Sequence, residues 1–152
     1  MTFAPVKFGV NDSSFQAAGG VEGIYKLVDE FYRIMDEAPE ASIIRKMHPA
    51  DLSSSRDKLA RFLCGWLGGP RLYAEKYGPI SIPNVHAHLG IGEAERDAWL
   101  ACMEKAVARQ PFSPEFAAYL MKQLRIPAQR VVLTCAESTV STARTVLFDP
   151  TL

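Results

Sequence analysis

The segment "NVHAHLGIGEAERDAWLACMEKAV", residues 84–107, sets two histidines, His86 and His88, ahead of a helical pattern that carries Trp99. A neutral imidazole can ligate a metal or trade protons near neutral pH, so His86 is the first residue to explain. A zinc reading is poor. Histidines at i and i+2 point to different faces of a helix, zinc wants three or four ligands, and His48 is the only other histidine. Taken alone, His86 is more readily a packed or solvated side chain than a ligand.

The aromatic residues change that balance. Phe31, Tyr32, Phe62, Trp66 and Trp99 fall on the apolar faces of three separate helical patterns. Packing in a core accounts for Phe31, Phe62 and Trp66. Tyr32 and Trp99 ask for more, because a buried phenol or indole needs a partner for its O–H or N–H. A flat, mostly apolar cofactor with one coordinating atom would use all of these features. His86 would be its ligand, the aromatic rings its walls, and Tyr32 and Trp99 two donors on the opposite face.

The elements that must position these residues read as helix after helix. In "GGVEGIYKLVDEFYRIMDEA" the set Ile24, Leu27, Val28, Phe31, Tyr32, Met35 follows one helical face. Pro39 and Pro49 keep the next stretch irregular. "SSRDKLARFLCGWL" puts Leu59, Phe62, Leu63, Trp66 and Leu67 on one face and stops at "GGP", where Gly68 takes the left-handed cap. Residues 69–92 are rich in Pro and Gly, and at most a turn or two of helix, carrying His86, fits between Pro83 and Gly90. A long helix follows from about Glu93. The last clear start has Ser113 as N-cap and Pro114 in the first turn, and Pro127 is expected to kink or break that helix. The remainder, with Val132, Ala136, Val140, Ala143 and Leu147 at helical spacing, is expected to be helical. No strand pattern competes, so the architecture is all-α.

Bulk properties narrow the function classes. The 152 residues fit one domain, and 48% are hydrophobic, enough for a core and a cavity inside it. A formal net charge of zero gives no footprint for nucleic acid or an acidic membrane. No apolar run reaches the length of a signal peptide core or a membrane span. Three cysteines, Cys64, Cys102 and Cys135, form no CxxC pair, which points to a reducing cytoplasm and free thiols.

The stretches "AAGGVEGIYKLVDEFYRIMD", "MHPADLSSSRDKLARFLCGWLGGPRLY" and "VHAHLGIGEAERDAWLACMEKAV" together resemble the truncated haemoglobins of group II. They span roughly Ala17 to Val107 in the right order, and the spacing of His86 to Trp99 with the block "ERDAWL" is specific to that group. The resemblance implies a two-over-two helical sandwich around haem b. It implies a single globin domain over 1–152, with a core at about 17–132, an N-terminal extension over 1–16 and a C-terminal extension over 133–152.

Carried over residue by residue, the resemblance makes His86 the proximal iron ligand. Tyr32, Trp99 and His48 become the distal, ligand-binding residues. Ser55 takes the site of the distal histidine of ordinary globins. Phe31, Lys58, Leu59, Phe62, Trp66, Leu89 and Ile91 surround the cofactor, with Lys58 at a basic position that often holds a propionate. The chain departs from the family's pattern before His86, where "YGPISIPNVH" replaces a "GHP" followed by two arginines and Val85 stands in place of an arginine. Leu89 replaces a common Phe.

An O2 held by ferrous haem carries partial negative charge on its outer oxygen, whereas CO carries less. Donors from Tyr32 and Trp99, with His48 as a third donor or an orienting group, favour O2 and slow its release. Three function classes follow. The first is a binding, transport or sensing protein for O2, NO, CO or a similar ligand, monomeric or weakly dimeric. The second is an enzyme for NO dioxygenation or peroxide chemistry, served by a reductase. The third is a cofactor-free helical interaction module in which His86 is inert.

Overall fold

The computed structural model describes residues 7–79 and 90–141, with side chains described through Cys135. Seven α-helices lie within these bounds: α1 Ser13–Ala17, α2 Gly20–Glu37, α3 Ser42–Arg45, α4 Ser53–Trp66, α5 Leu72–Tyr77, α6 Glu93–Ala108 and α7 Pro114–Ser141. A single 3-10 turn, Pro39–Ala41, leads into α3. There is no strand among the described residues.

The order of packing follows from the apolar stripes. α2 buries Ile24, Leu27, Val28, Phe31, Tyr32, Ile34 and Met35, a stripe wide enough to meet two neighbours. It packs against α4 on one side and α6 on the other, while α6 packs against α7 and α4 against α5. Two helix pairs laid over one another make the two-over-two sandwich. Leu59, Leu63, Met103, Phe116 and Leu120 complete the shared core. Each such side chain, once buried, stabilises the fold by about 1.5–3 kcal/mol.

Two glycine pairs set the corners. Gly19 and Gly20 take φ of 89° and 69°, a left-handed turn that joins α1 to α2. At the end of α4, Gly68 takes φ of 94°, and a Cβ there would stand 2.1 Å from the Asn11 carbonyl oxygen. Next to it, a Cβ on Gly69 would meet the Phe15 ring at 2.5 Å. Residues 11–15 are thereby clamped onto the end of α4. The Phe15 N–H donates to the Leu67 carbonyl at 3.0 Å, and Phe15 joins the core although it lies ahead of the boundary expected at residue 17.

The cap read from sequence at Ser113 is present, and the structure adds one at the start of α6. Ser113 Oγ accepts the Phe116 N–H at 3.1 Å, and the Glu95 carboxylate accepts the Gly92 N–H at 3.3 Å. Pro127 does not break its helix: α7 runs through it to Ser141. A proline inside a helix removes one backbone hydrogen bond, but α7 continues to bury Leu124, Val131 and Cys135 on either side of it. Tertiary burial outweighs the local cost. The irregular stretch after α3 is pinned by Arg45, which donates to Asp36 at 2.9 Å and to the Pro49 and Ala50 carbonyls at 3.0 Å each. Among the described residues, no helix is long and apolar enough to cross a membrane.

Candidate functional site

α2 bridges α4 and α6, and between α4 and the α6/α7 pair it leaves a cleft. Leu59, Phe62 and Leu63 form the α4 wall. Leu124, Pro127, Ala128 and Val131 form the α7 wall, and Ile44, Met47 and His48 close one end. Ile91 and three α6 residues, Glu95, Arg96 and Trp99, complete the lining. The space not filled by atoms is about 860 Å³, part of it open to solvent. Like small-molecule and cofactor sites, the cleft is concave and mostly apolar with a few polar groups in its lining.

Two of the polar lining residues, Trp99 and His48, are joined through the rings of Phe31 and Tyr32. Trp99 packs against the Phe31 ring, with centroids 5.1 Å apart, and Phe31 in turn meets Tyr32 edge-on at 4.9 Å. Tyr32 stands edge-on to His48 at 5.7 Å. The Tyr32 O–H donates to the Ser55 carbonyl at a long 3.4 Å, a weak bond that a better acceptor can displace. Burial pushes the Tyr32 phenol well above its ordinary range, so it stays protonated and remains a donor.

His48 is oriented by its own turn. Its Nδ1 lies 2.8 Å from the Ile44 carbonyl oxygen. A carbonyl only accepts, so Nδ1 carries the proton, and in the neutral ring Nε2 carries the lone pair. The described geometry therefore gives His48 the role of acceptor toward the cleft, whereas Tyr32 and Trp99 are donors.

The other expected site residues fall as follows. Leu59, Phe62, Ile91, His48 and Trp99 line the cleft. Phe31, Tyr32 and Ser55 are fully buried behind it. Trp66 stacks on Phe62 at 6.3 Å but faces a separate, more polar cavity with Asn11, Ser14, Tyr119 and Gln123. The Lys58 ammonium lies 5.4 Å over the Tyr77 ring and does not line the cleft. His86 and Leu89 lie outside the described residues. The α7 wall was missed from sequence, as were Ile44, Met47, Leu63, Glu95 and Arg96. Leu124, Ala128 and Val131 follow helical spacing, a legible signal that the expected break at Pro127 concealed.

On the opposite side of α4 sits a second polar cluster. The Asp57 carboxylate accepts Tyr25 O–H at 2.9 Å, Tyr77 O–H at 2.6 Å, Lys76 Nζ at 2.8 Å and Arg61 Nε at 2.9 Å. Burial alone would raise this carboxyl, but the bonds from Lys76, Tyr77, Tyr25 and Arg61 prevail and hold it far below the usual range.

Helix order, packing and cleft define a globin of the two-over-two kind. The family model for bacterial-like globins matches residues 13–131. The chain belongs to this family, in its group II truncated haemoglobin branch. It is 32% identical over 113 residues to the group 2 truncated hemoglobin YjbI of Bacillus subtilis (strain 168), covering 74% of this chain and 83% of the relative. Among solved structures it is similar to the group II 2-on-2 hemoglobin of the plant pathogen Agrobacterium tumefaciens. That match has a TM-score of 0.75 and 34% identity, over 86% of this chain and 97% of the other. A truncated oxygen-avid haemoglobin from Bacillus subtilis matches with a TM-score of 0.72 and 31% identity, over 78% of this chain and 98% of the other.

The globin family implies a haem. The residues present fit one. The cleft walls are mostly apolar, as a porphyrin face requires, with His48, Trp99, Glu95 and Arg96 as the polar side chains in the lining.

Proposed function

We propose that the cleft holds haem b, with His86 as its proximal ligand, and that the protein binds O2 or a similar small diatomic ligand at the end walled by Trp99 and His48. Bound there, the haem iron supplies the coordination site for the diatomic ligand. The observation that carries this reading is the mostly apolar cleft between α4, α6 and α7 whose lining includes Trp99 and His48, linked through the rings of Phe31 and Tyr32. Leu59, Phe62 and Val131 exclude water from the cofactor's faces. The Trp99 indole is donor-only, so it favours a ligand with partial negative charge. Tyr32 adds a second donor when its O–H leaves the long bond to Ser55. The Nε2 lone pair of His48 accepts and does not donate, so His48 acts on the Tyr32 ring that it meets edge-on rather than on the ligand.

A hydrogen bond to a charged acceptor contributes about 1.5–3 kcal/mol net. Two such donors favour slow O2 release, which suits capture or sensing better than delivery. The Bacillus subtilis relative is described as oxygen-avid, and this agrees with the donors available here.

Absorption spectroscopy tests the reading. Titrating the purified chain with haem should produce a saturable Soret band at one haem per chain, and the ferrous form should bind O2 and CO. A chain that folds and takes up no haem would return the cofactor-free interaction module.

A further inference from the structure

α7 presents different chemistry on its two sides. Its inner side buries Leu124, Val131 and Cys135, and Pro127, Ala128 and Val131 line the cleft. Its outer side, over the same turns, exposes Ile126 at 50% and Leu133 at 54%. Residues seven apart lie on one side of a helix, so the two make a short apolar strip. The other exposed large apolar side chains among the described residues, Val10, Val21 and Ile43, are scattered singly over the chain ahead of α1, α2 and α3.

Around the strip stand Lys122, Arg125 and Arg130, all exposed. From Phe116 to Cys135 they are the only charged residues of α7, so the helix carries no carboxylate there. None of the three makes an ion pair among the described residues, whereas Arg33, Arg45, Arg56 and Arg61 each pair with a carboxylate. A chain of zero formal net charge thus places three unneutralised cations on the back of the cleft wall.

An apolar centre with a charged rim is the anatomy of a protein interface. The face from Lys122 to Leu133 is about 17 Å long at about 1.5 Å per residue, which suits the small, transient contacts of electron carriers. Other occupants fit less well. A second copy would set these cations against their equals, and like charges across an interface cost affinity. Nucleic acid takes a longer cationic track, of roughly 6–10 phosphate contacts. A membrane surface gains about 1 kcal/mol per cation, and two apolar side chains insert too little to hold the protein.

We propose that the outer face of α7 is the docking site of an acidic electron-carrier protein, which returns the haem iron to the ferrous state. This rests on the haem reading given above. Only ferrous haem binds O2, and an iron that has lost an electron to O2 needs one electron back. The step is a single electron transfer. The carrier's reduced flavin is oxidised by one electron, ferric iron is reduced by one, and no bond is made or broken in the globin. A carrier on this face is separated from the cleft by the width of one helix, about 10 Å. Lys122, Arg125 and Arg130 steer it there, and Ile126 and Leu133 give the contact its dry centre.

The test uses full-length, haem-loaded protein with flavodoxin, an acidic flavin carrier, as the probe. Oxidised flavodoxin is titrated into the ferrous, CO-bound globin while amide shifts are followed by NMR. Separately, stopped flow gives the second-order rate at which reduced flavodoxin reduces the ferric globin. Wild type should show shifts gathered over residues 122–133 that fade at high salt. Arg125→Glu and Arg130→Glu should lose these shifts and slow reduction by about tenfold or more at low salt, because steering of this kind raises association by roughly 10- to 1,000-fold. The difference should close as salt rises. Ile126→Ser should slow reduction by less, and at every salt concentration. Lys26→Glu, an equal change of charge at an exposed residue of α2, should leave the rate near that of wild type. Equal slowing by Lys26→Glu overturns the proposal, because net charge alone would then account for the effect. Shifts centred elsewhere overturn it, as do rates in Arg125→Glu and Arg130→Glu that match wild type. A dimer in sedimentation that Ile126→Ser dissolves would give the face to a second copy. Co-sedimentation with phosphatidylserine vesicles that Arg130→Glu abolishes would give it to a membrane, and either result overturns the proposal. A wild-type chain that takes up no haem removes the haem reading and the proposal together, whereas a haem-loaded wild type that flavodoxin neither shifts nor reduces removes the proposal alone.

Discussion

Leu59, Phe62 and Leu63 on one side of α4 line the apolar cleft, whereas Asp57 and Arg61 on the other side join a polar cluster that reaches α2 and α5. The two sides have different tolerances. An apolar wall works by shape and exclusion of water, and a volume-conserving exchange there costs less than about 1.5 kcal/mol. A saturated carboxylate works by complete pairing, and a single lost partner is felt by all the rest. The cleft should thus tune what is bound, and the cluster should govern whether the frame around it holds.

The largest effect expected is at neither side of α4 but at His86, the proposed proximal ligand. His86→Gly should abolish stable haem uptake, or allow it only with added imidazole, whereas His88→Ala should bind normally. A Soret titration of both variants checks this, and normal uptake by His86→Gly with a defect in His88→Ala would reverse the assignment.

Acid should next separate the two sides. The Asp57 carboxyl lies far below its unfolded value of about 3.9. A depressed carboxyl contributes stability that is fully present above the unfolded value and is lost as pH falls through the folded one. The wild type should therefore lose stability progressively below about pH 4, and Asp57→Asn should be less stable at pH 7 with a flatter decline over that range. Denaturant midpoints measured from pH 7 to pH 2 give the comparison. Parallel curves for the two proteins would deny the cluster its role.

Thiol chemistry reports on the closed core around the cleft. Cys64, Cys102 and Cys135 are buried and outside any disulfide among the described residues, and burial raises the Cys64 and Cys102 thiols. Thiol reagent should label the native protein slowly and find three thiols after unfolding without reductant. Finding one would mean a disulfide the structure does not contain.

His48→Phe should have the smallest effect. With Nδ1 held by Ile44, the ring offers the cleft an acceptor. O2 release should then change by about threefold or less, under ~0.7 kcal/mol. A change as large as that from removing a true donor would require His48 to be protonated at Nε2.

The sandwich was legible because its helices carry long apolar stripes, as α2 does from Ile24 to Met35, and because proline and glycine mark the joints. Ser113 announced one helix start through its capping chemistry. Continuation of α7 through Pro127 was not legible, since a local rule weighs a lost hydrogen bond and cannot weigh the burial of Leu124 and Val131. Tyr32 and Trp99 could be read as donors needing partners. Which way His48 turns could not, because the tautomer depends on a carbonyl four residues back. The Asp57 cluster was illegible for a related reason: only the Asp57–Arg61 spacing hints at a pair, while Tyr25, Lys76 and Tyr77 arrive from elements far away in sequence.

The most direct test of the account is the release of O2 and CO from wild type and Trp99→Phe, measured by stopped flow on the ferrous protein. The substitution keeps an aromatic ring against Phe31 and removes one N–H donor. Loss of about 1.5–3 kcal/mol should speed O2 release on the order of ten- to a hundredfold, with CO release changed far less because bound CO presents little charge. Equal acceleration of both ligands would make Trp99 a steric wall, and no change in either would contradict the claim that the ligand is held beside Trp99.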